Sequence, residues 1–358
     1  MFPAESSRLE RSLFIIALIF IIVIAVKTTA YVVTLFVMAL ILTMLVLPAM
    51  VWLKEKGLSD FFAVLLITTL ASLIVLAVIF LTALSFNTLI TDIPQYQQDL
   101  NTRLADITGY LSGYGISSTS GTPSVNLSDL ITIAVSSAMG VADTIMFLFF
   151  VGVTTFFMLL EAPHVTRRLE RSFGKESEMM MRLNRMTGYV IDFIVVRTET
   201  NAIHGILFGA FLGIIGVHGA ILWGVLTFLL SYIPFIGLII AAVPAIFFAW
   251  LQFGVPGAVA VIVAITLLNL FVENPVYSFL AARKFEMPAL IVIISVIFWG
   301  WLFGLVGMLF SIPMTLMLLL IFQISDDLCW INELLGVSHL FEDSKSCKKP
   351  LDEDILKK

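Results

Sequence analysis

Residues 202–324 read AIHGILFGAFLGIIGVHGAILWGVLTFLLSYIPFIGLIIAAVPAIFFAWLQFGVPGAVAVIVAITLLNLFVENPVYSFLAARKFEMPALIVIISVIFWGWLFGLVGMLFSIPMTLMLLLIFQI. Over that stretch only Glu273, Arg283, Lys284 and Glu286 carry a charge. No soluble fold can cover an apolar run of this length, so lipid must solvate it. The chain therefore reads as an all-α polytopic membrane protein. Two apolar blocks within the run, Ile221–Leu251 and Ala289–Ile324, are interrupted near mid-length. The interruptions are Ser231-Tyr232-Ile233-Pro234-Phe235-Ile236-Gly237 and Phe298-Trp299-Gly300-Trp301-Leu302-Phe303-Gly304. Aromatic, glycine and proline clusters at such depth mark broken or re-entrant helices.

Working outward, about 20 apolar residues are needed per full span. Six segments qualify as candidate spans: Ser12–Lys27, Tyr31–Leu53, Phe61–Leu84, Ala138–Leu160, Ala202–Val217 and Pro256–Leu280. The first follows Arg8 and Arg11 and resembles a signal peptide, with Thr28-Thr29-Ala30 as a faint cleavage site. A second apolar run follows at once, so it reads as an uncleaved span. Lys54 and Lys56 follow the second span. Residues 161–201 carry Arg167, Arg168, Arg171, Lys175, Arg182, Arg185 and Arg197, whereas Arg103 stands alone between the third and fourth spans. The tail carries Lys345, Lys348, Lys349, Lys357 and Lys358. The positive-inside rule then places both termini and residues 161–201 in the cytoplasm, and residues 85–137 outside.

The same rule tests the two interrupted blocks. A single crossing by Ile221–Leu251 would strand Arg283 and Lys284 outside, and a single crossing by Ala289–Ile324 would strand the tail. Arms of about 15 residues span roughly 22 Å, too short to cross. Both blocks are therefore expected to be re-entrant helical hairpins. Outside, Ile93, Tyr96, Leu100, Leu104, Ile107 and Leu111 follow helical spacing, which predicts an amphipathic helix over Asp92–Leu111. A Ser/Gly/Thr-rich loop, Ser112–Ser124, follows it. Inside, Met179, Leu183, Met186, Val190, Ile194 and Arg197 form one stripe of Lys175–Thr200, which reads as an interfacial helix or as a coupling helix that moves with transport. The expected organisation is thus N-terminal helices (1–84), an external helix and loop (85–137), a span (138–160), a cytoplasmic amphipathic segment (161–201), a core region (202–324) and a tail (325–358).

Composition excludes more than it assigns. Cys329 and Cys347 are the only cysteines and four histidines are scattered, so no metal or disulfide framework can be built. There is no nucleophile elbow and no phosphate-binding loop, which argues against an enzyme and against a self-contained ATPase. No catalytic residue, metal, cofactor or nucleic-acid partner is expected; the partners are lipid and a small polar solute or monovalent ion. Flux would be passive or driven by an ion gradient.

The residues that could carry transport are Ser231, Tyr232, Asn269, Asn274 and Tyr277, whose hydroxyls and amides suit a polar path. Pro234, Gly237, Gly300, Gly304 and Gly307 stand at the breaks. Glycine spacing over Gly300, Gly304 and Gly307 suits either a close helix-packing face or a hinge at a tip. Breaks at depth survive only where protein or a water-filled cavity satisfies the freed backbone. Glu273 is the outstanding ionisable residue. It sits late in an apolar span, where it could exchange a proton, or at the headgroup level beside Arg283 and Lys284 as an anchor. Pro275 is expected to kink that helix. His204 and His218 read as hydrogen-bonded structural groups.

Four stretches resemble signatures of the autoinducer-2 exporter (AI-2E) family of bacterial inner-membrane proteins. They are Thr91-Asp92-Ile93-Pro94-Gln95-Tyr96, Phe156-Phe157-Met158-Leu159-Leu160-Glu161-Ala162-Pro163, Ser231 to Gly237, and Phe298 to Pro313. The resemblance covers most of the chain in order, the last stretch being the most specific. Four residues past Asn274, where the family typically has a proline, this chain has Ser278. The resemblance implies an inner-membrane transporter, export of a small furanone-type signal in some members and sodium/proton antiport in others. It also implies a homo-oligomer, with a pentamer as the candidate form. Three functions follow for testing: export of a small polar metabolite, autoinducer-2 foremost; monovalent cation/proton antiport through Glu273; and a non-transport membrane scaffold.

Overall fold

A computed structural model describes residues 8–113, 141–234, 236–272 and 287–324, together with residues 331, 332 and 335. All regular structure among them is helical: α1 (Arg8–Thr28), α2 (Ala30–Glu55), α3 (Asp60–Thr91), α4 (Ile93–Gly113), α5 (Val141–Phe173), α6 (Glu178–Ile215), α7 (Ala220–Leu230), α8 (Gly237–Phe271), α9 (Ala289–Leu309) and α10 (Ser311–Ile324). Six stretches are long and apolar enough to cross a membrane: α2, α3, Ile145–Phe173, Thr187–Ile215, α8 and α9. The faces of α3 are exposed leucine, isoleucine and phenylalanine almost throughout, as lipid solvation requires. Its 32 residues reach about 48 Å, beyond the roughly 30 Å of hydrocarbon. The surplus turns carry Leu89 to the level of α4.

Three buried clusters hold the helices together. Met50, Ala63, Val64 and Leu159 join α2, α3 and α5 at one end. There Lys54 pairs with Asp60 at 2.8 Å. Ile41, Val190, Phe193, Ile194, Leu316 and Leu319 join α2, α6 and α10. The largest cluster, around Phe208, Leu212, Trp223, Ala245 and Ala249, joins α6, α7 and α8 to α3 and α4.

α6 runs without a break from Glu178 to Ile215. The stretch Lys175–Thr200, expected as an interfacial helix, is therefore continuous with the span expected at Ala202–Val217. Ser177 starts α6 by accepting the Met180 N–H at 3.2 Å, and left-handed Gly216 ends it. Of the apolar stripe read from the sequence, α6 buries Val190 and Ile194, together with Met180 and Phe193 off it. The amphipathic helix expected over Asp92–Leu111 is present as α4, which buries Tyr96 and Leu100.

The chain turns between α7 and α8 from Ser231 to Pro234, within the first expected tip. α6 and α7 pack antiparallel through glycine. A Cβ on Gly205 would lie 2.6 Å from the Gly224 carbonyl oxygen, so only bare backbone fits at that crossing. Two further reversals sit inside α8 and α9. Gly254 has φ 70° and ψ −158°, and Gly304 has φ 66° and ψ −144°. A Cβ on Gly257 would be 2.6 Å from the Ala249 carbonyl oxygen, and one on Gly307 would run into that of Trp299. In an unbroken helix those pairs would be about 12 Å apart. Trp299 Nε1 also donates to Thr315 Oγ1 at 2.9 Å, so the return arm lies against the outgoing one. Both reversals carry the same pattern, Phe253-Gly254-Val255-Pro256-Gly257 and Phe303-Gly304-Leu305-Val306-Gly307.

Lys27 secures the second of these. Its Nζ donates to the Trp301 carbonyl at 3.0 Å and lies 3.7 Å from the centroid of the Trp301 ring. Lys27→Met is expected to lower stability in detergent by about 1 kcal/mol, and Lys27→Arg by less, as read by thermal unfolding.

Candidate functional site

The first tip meets two other elements inside the bundle. α7 ends at Leu230 because the chain needs backbone that helix geometry cannot supply. Ser231 and Ile233 still donate to the Thr227 and Leu230 carbonyls, at 3.0 and 2.8 Å. The Ser231 carbonyl is held by a side chain: Arg197 of α6 donates to it at 2.5 Å. One residue on, Thr198 Oγ1 donates to the Ile194 carbonyl at 2.7 Å, which leaves it to accept from the Tyr232 hydroxyl at 2.6 Å. The Tyr232 ring packs against Phe228 and against Phe310, with centroids 5.9 and 5.6 Å away. Phe310 is the non-helical joint between α9 and α10. The first tip therefore touches the return arm of the second reversal.

Beside these contacts lies a set of fully buried polar side chains. Asn201 is 0 % exposed, Thr227 0 % and Ser231 3 %. The Asn201 amide oxygen and nitrogen, Thr227 Oγ1 and Ser231 Oγ find no hydrogen-bond partner among the described residues, and neither does Ser311 Oγ next to Phe310. The antiparallel register that sets Gly205 against Gly224 and Phe228, and Arg197 against Ser231, places Asn201 at the level of Thr227 and Ser231. Buried polar groups in native proteins are nearly always paired, so a cluster of unpaired ones marks a place for a ligand or water. The cluster is uncharged hydroxyl and amide, with one guanidinium at its edge. Such a set can bind hydroxyls and carbonyls.

Of the residues expected from the sequence, Ser231, Tyr232, Pro234 and Gly237 come together here. Gly237 starts α8 directly against the Leu230 carbonyl, which leaves no room for a side chain. Gly300 is buried against Met308, Gly304 forms the reversal and Gly307 lies one turn before Phe310, so these three shape the neighbouring arm. Asn269 is exposed on α8. Glu273, Asn274 and Tyr277 lie outside the described residues. Sequence reasoning missed Arg197, Thr198, Asn201 and Thr227 as site residues. Arg197 stood on the apolar stripe of α6, one turn from Ile194 and one from Asn201, and a polar group on a buried stripe was the available signal.

At the other end of α7, α4 clamps the two turns that begin and end the hairpin. The Tyr96 hydroxyl lies 2.8 Å from His218 Nδ1, and the Tyr96 ring meets Phe248 edge-on at 5.1 Å. Trp223 Nε1 donates to the His218 carbonyl at 3.0 Å, and the Gln252 side chain accepts the His218 backbone N–H at 3.3 Å. Arg103 donates to the Leu251 carbonyl at 3.4 Å beside Gly254. Burial, with Asp92 and Asp99 nearby, pushes the Tyr96 phenol up to about 12 from an ordinary 10.0. A raised phenol favours the neutral form, so its contribution to stability is complete below pH 10 and is lost as the pH climbs through about 12. Spectrophotometric titration is expected to show one fewer late-ionising tyrosine in Tyr96→Phe than in wild type.

Comparison with known proteins places this arrangement. Residues 13–325 match the profile described as AI-2E family transporter. The AI-2 transport protein TqsA of Escherichia coli is 30% identical over 71% of this chain and 75% of its own. A Haemophilus influenzae protein named "Putative transport protein" is 28% identical over 92% of this chain and 97% of its own. "Putative transport protein YhhT" of Escherichia coli is 25% identical over 75% and 77%.

Proposed function

This chain belongs to the AI-2E family of membrane transporters, and we propose that it exports a small, neutral, hydroxylated solute, autoinducer-2 foremost, through the buried polar cluster between α6 and the α7–α8 turn. The observation that carries the reading is Asn201, buried to 0 % with both amide atoms unpaired among the described residues, level with Thr227 and Ser231. Leaving such groups unpaired costs about 1–3 kcal/mol each, a burden that a fold sustains where a solute can supply the missing bonds. The buried hydroxyl and amide groups offer both donors and acceptors, which suits a hydroxylated solute. The printed name of the TqsA relative supports autoinducer-2 as the first solute to try. Broken helices meeting inside a bundle are where many transporters place their solute. In this reading the α4 end faces outward, both termini face the cytoplasm of a bacterial inner membrane, and the chain works as a homo-oligomer.

The test uses purified protein in sealed liposomes and labelled autoinducer-2, with and without sodium and pH gradients. Signal flux that persists without a sodium gradient supports the reading. A comparison with Glu273→Gln asks whether that carboxylate couples flux to protons. Sodium-driven pH change with no signal flux would replace export by cation/proton antiport.

A further inference from the structure

The carbonyl end of a broken helix is a cation site. That end carries the negative pole of the helix dipole, and a carbonyl there that no backbone N–H reaches can accept a cation. Transporters built on broken helices use such ends, with nearby hydroxyl and amide oxygens, to bind sodium. The end of α7 offers oxygens of that kind at one level of the bundle: the Ser231 carbonyl, Ser231 Oγ, Thr227 Oγ1 and, from α6, Asn201 Oδ1. It also has a cation already in place, because Arg197 donates to the Ser231 carbonyl at 2.5 Å. A guanidinium keeps its charge at any working pH and cannot diffuse away.

We propose that Arg197 is a built-in substitute for a coupling sodium ion. It stands at the carbonyl end of α7, excludes sodium from the oxygen cluster and reserves that cluster for a neutral solute. Arg197 thereby sets specificity without itself carrying solute. The inference deepens the solute-export reading and rests on it for the identity of the cluster, but its test reads sodium binding, not flux.

Binding of labelled sodium to the full-length protein in detergent provides that test. Wild type and Arg197→Lys are expected to show no saturable binding. Arg197→Ala is expected to bind sodium saturably, with affinity raised on the order of a hundredfold by removal of a like charge a few ångströms away. Adding Thr227→Val to Arg197→Ala should abolish that binding, and sodium should raise the melting temperature of Arg197→Ala alone. A merely structural arginine would change none of these sodium responses. Should Arg197→Ala fail to fold, Arg197→Gln, which keeps an N–H donor for Ser231 without the charge, gives the same readout. Saturable sodium binding by wild type that Thr227→Val removes would overturn the inference, as would a folded, uncharged variant that gains none. Failure of autoinducer-2 flux in wild-type liposomes would instead remove the solute reading and leave the sodium result standing.

Discussion

Gly307→Ala is expected to leave little folded protein. The added methyl would occupy the position of the Trp299 carbonyl and sit 3.0 Å from Phe303 Cβ. Both neighbours belong to the outgoing arm of the same reversal, so relief requires the two arms to part. Overpacking against backbone costs about 3 kcal/mol or more, a large share of the roughly 5–15 kcal/mol that holds a typical fold together. Gly257→Ala should behave alike, because its methyl would meet the Ala249 carbonyl oxygen and Phe253 Cβ, both at 2.6 Å. Gly304→Ala has open space but a left-handed backbone, and should lose about 1–3 kcal/mol. Gly152, with nothing within 4 Å, is the control. The yield of monodisperse protein after heating in detergent should rank Gly152→Ala, Gly304→Ala and Gly307→Ala in falling order. Equal survival of the first and last would refute the tight reversal.

Asn201→Leu should do the opposite to stability and still destroy function. The leucine has the same number and branching of side-chain heavy atoms and removes two buried polar atoms that have no partner among the described residues. Exchanging an unsatisfied amide for apolar packing is expected to raise stability by about 1–2 kcal/mol. Flux of the hydroxylated solute should nevertheless fall by at least about tenfold, since each lost hydrogen bond to a bound solute is worth about 1.4 kcal/mol or more. A melting temperature that rises while transport falls separates a solute-binding residue from a structural one. A variant that melts lower and transports normally would show that Asn201 is satisfied within the protein and does not meet solute.

The backbone breaks were legible because proline and glycine are conspicuous in apolar blocks. Pro234 and Gly237 mark the turn after α7, and Gly304 stands at the end of the second expected tip. The seam between Leu251 and Pro256, read as the join between a hairpin and a span, contains the reversal at Gly254. The chemistry of the cluster was harder to see. Arg197 counts toward a cytoplasmic positive charge whichever way its side chain points, and Asn201 looks like the last polar residue before an apolar run. Their meaning depends on the crossing of α6 with α7, where Gly205, Gly209 and Gly224 allow the backbones to touch. Glycines fifteen to nineteen residues apart reveal no mutual contact in one dimension. Asn269 illustrates the converse: a polar residue in an apolar helix drew notice, yet it lies on an exposed face.

The glycine crossing also constrains biosynthesis. α7 has 11 residues, about 16 Å of helix, and cannot span a bilayer of roughly 30 Å by itself. As the chain leaves the ribosome, the translocation channel cannot release α7 sideways into lipid as an independent segment, because its free carbonyls would meet hydrocarbon. It must dock on Gly205 and Gly209 of the already inserted α6, and hold there until residues 237–253 have been synthesised to close the hairpin. Insertion and tertiary packing are thus one event for this region. A bulky residue at Gly205 or Gly209 would act first on the newborn chain, diverting it to quality-control proteolysis before any transporter exists to be assayed.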